Sequence, residues 1–195
     1  MILPNIQKYH LILASNSPRR KELLAGLGLT YEVRTLPDVD ESYPADLRGG
    51  EIPLYISREK ADAYRPQLKA DELMITADTI VWLQGRVLGK PADRASAIEM
   101  LTSLSGHTHE VYTGVSLTTT GWQRSFFVET RVRFTQLTAE EIEYYVDTYR
   151  PYDKAGAYGV QEWIGYIGVE HIEGSYFNVM GLPVQRLYRE LARCE

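Results

Sequence analysis

Apolar and polar positions along the chain follow two different periods, and each change of period marks the edge of an element. Leu11, Ile12, Leu13 and Ala14 form an unbroken apolar run that reads as a buried strand. Pro18 suits the first position of a helix, in which Leu23, Leu24 and Leu27 recur at helical spacing before Gly28. Extended residues from Tyr31 to Thr35 complete a strand-helix-strand opening. Leu36 to Asp46 carries Asp38, Asp40, Glu41 and Asp46 with no balancing base and reads as an acidic loop, ahead of a helix around Ile52 to Tyr64. Leu73 to Leu83 is the strongest strand signal, with Asp78 at its centre and a turn at Gln84-Gly85-Arg86.

Asp93 is placed to cap a helix through about Leu104, with Ala97, Leu101 and Leu104 on one face and Gly106 closing it. Glu110 to Thr118 and Ser125 to Phe134, separated by a turn containing Gly121, read as a hairpin. Thr138 and Glu141 make a capping-box pattern, followed by the stripe Ile142, Tyr145, Val146 and Tyr149, and Pro151 stops that helix. Gly156 to Gly174 predicts turns with short strands, and Val184, Leu187, Tyr188 and Leu191 predict a last amphipathic helix. The pattern is that of an α/β or α+β chain with a large mixed sheet, whose strand order periodicity does not reveal. No linker, repeat or low-complexity segment divides it.

Composition narrows the function. With 195 residues, 44% hydrophobic and 24% charged, the chain can bury a sizeable core as one large domain or two closely joined lobes. A net charge of −5 argues against a general nucleic-acid binder and leaves a small anionic substrate. The single cysteine, Cys194, rules out an internal disulfide and a cysteine-based zinc site. No signal-peptide pattern opens the sequence and no 18 apolar residues run together, so the expectation is a soluble cytoplasmic protein without a membrane partner.

Chemistry concentrates in a few places. Ser15-Asn16-Ser17-Pro18-Arg19-Arg20 sits where a strand meets a helix N-terminus, and amide groups, the helix dipole and two arginines there suit a phosphate chain. The same residues read equally well as a helix cap made by Ser17 with solvated arginines. Asp78, inside an apolar strand, needs a partner: a metal, a cation, a water to activate, or the backbone amides of a purely structural role. Lys60, in Arg58-Glu59-Lys60-Ala61, reads as a surface lysine on its own merits. Lys90, between Gly89 and Pro91, is better placed to hold an ammonium toward a phosphate. Gln161 ends the small-residue stretch from Asp153 and offers both a donor and an acceptor, as reading a nucleobase edge requires, although the glycines serve a tight turn equally well. His107 and His109 lack a third ligand nearby and read as ordinary surface histidines. The P-loop, dinucleotide-binding and hydrolase-elbow motifs are absent.

Six motifs in order, namely Ser15 to Arg20, Arg58 to Ala61, Ala77-Asp78-Thr79, Gly89-Lys90-Pro91, Asp153 to Tyr158 and Gly174-Ser175 through Gly181-Leu182-Pro183, resemble the Maf family of nucleoside triphosphate pyrophosphatases over nearly the whole chain. The resemblance implies a single domain over 1–195 with an α/β fold, a mixed central sheet flanked by helices and two lobes around a deep cleft, similar to inosine triphosphate pyrophosphatases. It implies hydrolysis of a nucleoside triphosphate to the monophosphate and pyrophosphate, helped by Mg²⁺ or Mn²⁺. Asp78 would be the general base, Arg19, Thr79 and Gln161 would shape substrate preference, and Ser15, Arg20, Lys60 and Lys90 would hold the triphosphate. Apart from the resemblance, Glu41 or Asp40 of the acidic loop would complete the shell of an ion bound mainly through the triphosphate. The Lys-Ala-Gly-Ala-Tyr-Gly-x-Gln form from Lys154 looks like the branch acting on dTTP and UTP, and family members are often homodimers. Competing readings are an enzyme for 7-methyl-GTP or ITP and a nucleotide-binding regulator of cell division without turnover.

Overall fold

The structure is a computed structural model and describes residues 3–35 and 39–194. Leu36 and Asp38 of the expected acidic loop lie outside the described residues. Strands β1 (His10–Leu13), β2 (Glu32–Val33), β3 (Glu72–Leu83), β4 (Arg86–Leu88), β5 (Thr108–Thr118), β6 (Gln123–Phe134) and β7 (Val169–Glu173) form one sheet. Its order is β2-β1-β3-β5-β6-β7, with β4 paired to β3 off that path. β1 runs parallel to β2 and β3, whereas β4 is antiparallel to β3 and β7 to β6, so the sheet is mixed. The helices are α1 (Pro18–Ala25), α2 (Glu51–Tyr64), α3 (Arg94–Leu104), α4 (Ala139–Tyr149), α5 (Trp163–Gly168), α6 (Tyr176–Met180) and α7 (Val184–Leu191).

The chain groups into two compact units, one of Met1–Asp78, Thr113–Val128 and Gly181–Glu195, the other of Thr79–Tyr112 and Glu129–Met180. In the first, β1 pairs Leu11 with Leu73, Ile12 with Met74 and Leu13 with Ile75. Ile12, Ala14 and Met74 pack with Ala61 and Tyr64 of α2 in one buried cluster. Helix α2 lies so close to β5 that a Cβ on Gly114 would come 2.2 Å from the Pro53 carbonyl oxygen, and only glycine leaves room. Arg34 spans β1 to reach Glu72, donating to both carboxylate oxygens at 2.9 and 2.8 Å. That bidentate contact pushes the Glu72 carboxyl down to about 2.

In the second unit, Gln84 and Gly85 both take positive φ, the geometry that lets a two-residue turn join the twisted strands β3 and β4. Asp93 and Thr138 cap α3 and α4 through complete capping boxes. Helix α4 ends at Arg150, whose left-handed conformation precedes Pro151. Two expectations fail here. His109 is fully buried rather than on the surface: it meets the rings of Phe134 and Tyr158 edge-on, and its Nε2 hydrogen-bonds the Tyr158 hydroxyl at 2.7 Å. Burial pushes its imidazole down to about 3. The glycine-rich region also holds α5 as well as turns and β7. Helix α5 buries Ile164 and Gly168, and its two glycines masked it because glycine disfavours helix in isolation.

Candidate active site

Strand alternation decides where Asp78 points. Met74, Thr76 and Asp78 share one face of β3. Met74 packs on Ala61 and Tyr64 of α2, and the Thr76 hydroxyl donates to the Ser57 carbonyl at 2.7 Å. Two residues further along β3, Asp78 Oδ1 accepts at 2.9 Å from Nζ of Lys60 on the same helix. Glu41 Oε1 lies 2.8 Å from the same ammonium. Both partners of the Lys60–Asp78 pair have side chains only 14% exposed, so Lys60 is no ordinary surface lysine and Asp78 has found its cation. Glu41, 53% exposed, approaches from the solvent side.

Arg20 joins this cluster by a different route. Its Nε donates to the Gly181 carbonyl and its Nη1 to the Ala77 carbonyl, each at 2.9 Å, which fixes the guanidinium beside the residue preceding Asp78. Burial lowers its pKa, and the negative charges of Asp78 and Glu41 oppose that shift. The cap expected at the strand-to-helix turn is present, with Arg19 and Arg20 half-buried rather than solvated. Ser17 caps α1 by accepting from the Arg20 amide, and the Ser17 amide donates to the buried Ser15 hydroxyl, so two amides of the turn are occupied by its own serines. Arg19 is half-buried in the first turn of α1.

Two carboxylate oxygens converging on one ammonium are also two hard donors around one cationic position, the chemistry that Mg²⁺ or Mn²⁺ asks for. Asp78 and Glu41 are donors of the type a divalent ion takes, with the Lys60 ammonium filling the position between them here. Asp40 is turned to a local task instead, with its carboxylate accepting from the Ser42 amide and hydroxyl at 2.8 Å each. Among the described residues, no three His, Cys, Asp or Glu side chains gather as a ready-made metal site.

The remaining candidates belong to the second unit. Thr79 is half-buried on β3, next in sequence to Asp78. Lys90 is exposed after β4, and the preceding Gly89 carbonyl accepts from the Gly156 amide at 3.0 Å. The lysine loop is thereby tied to the small-residue stretch that carries Gln161. Gly156 sits at φ +67, and a Cβ there would fall 2.9 Å from the Val81 side chain, so its smallness serves close packing. Gln161 is half-buried, and its Oε1 is buried without a hydrogen-bond partner among the described residues. Such an acceptor costs about 1–3 kcal/mol unless a donor reaches it.

Sequence reasoning did not pair Lys60 with Asp78. The only local signal was the helical spacing of Ser57, Lys60, Ala61 and Tyr64, which puts Lys60 at the rim of the buried face. Among the described residues no helix is long and apolar enough to cross a membrane.

Comparison with known proteins bears on the whole chain. The profile of the family described as Maf-like protein matches residues 10–194. A Bacteroides thetaiotaomicron protein named dTTP/UTP pyrophosphatase is 68% identical over 192 residues, 98% of this chain and 100% of its own length. A Flavobacterium johnsoniae protein of the same name is 46% identical over 191 residues, 98% of each chain. Among solved structures, a HAM1 protein from Coxiella burnetii aligns over 94% of this chain and 98% of its own, with 14% identity and a TM-score of 0.48, a likeness too slight to carry an assignment.

Proposed function

The chain belongs to the Maf-like protein family, and from that premise we propose that residues 1–195 act as one domain hydrolysing dTTP and UTP to the nucleoside monophosphate and pyrophosphate. The observation that carries the reading is the half-buried Asp78 carboxylate, oriented by Lys60 and flanked by Arg20, in a chain whose near full-length relatives bear the name dTTP/UTP pyrophosphatase. Asp78 takes the proton of a water that attacks the α-phosphorus. The bond from that phosphorus to the bridging oxygen breaks, and pyrophosphate leaves with the electron pair. Ser15, Arg20, Lys60 and Lys90 hold the triphosphate and stabilise charge on its oxygens. Asp78 and Glu41 would hold Mg²⁺ or Mn²⁺, which when bound neutralises phosphate charge.

Base preference follows from Gln161, with Arg19 and Thr79 shaping the same choice. Uracil and thymine present an N3–H donor between two carbonyl oxygens. Turned toward a bound base, Gln161 Oε1, enclosed and partnerless among the described residues, would accept from that donor while the amide nitrogen donates to a neighbouring carbonyl. In the same pose cytosine turns its N3 lone pair, an acceptor, toward that oxygen. The purified protein with Mg²⁺ should release pyrophosphate from dTTP and UTP well ahead of CTP, GTP, ITP and 7-methyl-GTP. Faster release from 7-methyl-GTP or ITP would overturn the pyrimidine preference, and binding without any release would make the protein a nucleotide sensor. The buried thiol of Cys194 suits the reducing cytoplasm in which we place the reaction.

A further inference from the structure

We infer that Tyr145, Glu162 and Lys154 form a positioning network that fixes the turn from which Gln161 reads the base, so that pyrimidine recognition depends on residues that never touch the nucleotide. The inference rests on the base-reading role of Gln161 given above. Gly159 and Glu162 bracket Gln161, leaving only Val160 and Gln161 between them, and both brackets meet at one hydroxyl. The Gly159 amide donates to the Tyr145 hydroxyl at 3.0 Å, and that hydroxyl donates to Glu162 Oε2. The Glu162 amide closes the turn on the Gly159 carbonyl at 3.0 Å.

The other carboxylate oxygen of Glu162 lies 3.0 Å from Lys154 Nζ, which also donates to Asp153 Oδ1 at 2.9 Å. Lys154 is buried, so its charge is matched where it is desolvated. The backbone has no slack around this arrangement. A Cβ on Gly159 would lie 3.0 Å from both Lys154 Cε and Glu162 Cδ, so the ion pair passes directly beneath that α-carbon. A Cβ on Gly165 would lie 1.8 Å from the Val160 carbonyl oxygen. On the chain's other side, Tyr158 is anchored through its hydroxyl to His109.

Tyr145 is itself anchored in the core. It is fully buried on α4, and burial followed by its bond to Glu162 raises its phenol pKa, so it remains a donor. The network pairs the Gly159 amide, the Tyr145 hydroxyl, both Glu162 carboxylate oxygens and the Lys154 ammonium, and leaves Gln161 Oε1 without a partner among the described residues.

Tyr145→Phe removes one oxygen and nothing else. We expect KM for dTTP and UTP to rise about tenfold with kcat within about twofold, and the kcat/KM preference for UTP over CTP to fall by about the same tenfold. Circular dichroism and the thermal midpoint report whether the variant folds. Gln161→Ala should abolish the UTP preference, and adding Tyr145→Phe to it should change the preference no further. If Gln161→Ala leaves base preference intact, the base-reading role itself fails. If Gln161→Ala abolishes it while Tyr145→Phe leaves KM and preference unchanged, or if the two effects simply add, the positioning role is overturned. Should Tyr145→Phe not fold, Glu162→Gln takes its place, keeping an acceptor for Tyr145 but removing the charge facing Lys154. A loss of about threefold in the same preference is expected, and no loss overturns the inference.

Discussion

The surroundings of Asp78 and those of Gln161 are built on opposite principles. Asp78 is held by charge: an ammonium at 2.9 Å, a second carboxylate on that ammonium and a guanidinium pinned to neighbouring carbonyls. Gln161 is held by backbone geometry, between Gly159, packed on the Lys154 and Glu162 side chains, and Gly165, which has no room for a Cβ, with a tyrosine hydroxyl that binds both ends of its turn. Charge acts at a distance and recognises any polyphosphate. A locked amide recognises one pattern of donors and acceptors. On the proposed function, that difference would let one chain treat triphosphates alike in chemistry and still choose among bases.

The strongest way to break this contrast is Asp78→Asn. Turnover should fall about 10²–10⁴-fold, the usual contribution of a general base, with nucleotide affinity by calorimetry largely kept. Near-normal turnover would remove Asp78 from the reaction. Lys60→Gln should raise KM about 10- to 100-fold, as expected for loss of a charge-assisted contact, and by the same factor for dTTP, UTP and CTP. A change confined to one base would contradict the division of labour, because Lys60 sits on the charged side.

Smaller effects sharpen it through stability. Gly114→Ala and Gly165→Ala should each cost about 1–3 kcal/mol, since each puts a methyl group against a carbonyl oxygen. The resulting loss of about 2–4 °C per kcal/mol is measurable by calorimetry. Only Gly165→Ala should also erode the UTP preference, because only that glycine abuts the turn carrying Gln161.

The smallest effects are in pH dependence. His109, pushed down to about 3 by burial, stays neutral in the fold, while the unfolded chain takes up a proton near the ordinary 6.5. Stability is therefore full above 6.5 and declines as pH falls toward 3. Glu72, held down to about 2 by Arg34, contributes stability above its ordinary 4.5 that is lost between 4.5 and 2. His109→Gln should flatten the thermal midpoint against pH in the upper window and Glu72→Gln in the lower. Neither should alter base preference at neutral pH.

Local signals were legible wherever a residue's role is decided within a few positions of itself. Ser17 caps α1, Asp93 and Thr138 cap α3 and α4, the apolar run to Leu83 is β3, and the motifs from Ser15 to Pro183 carry the family resemblance; each depends on spacing alone. The pairing of Asp78 with Lys60, the burial of His109, the choice of Glu41 over Asp40 beside Lys60, and the turn of Gln161 between Tyr145 contacts were decided only by the tertiary structure. The reason is physical. Periodicity records which face of an element is apolar, but which strand lies beside which, and so which side chain loses its water and what it meets there, is set by contacts between segments far apart in the chain.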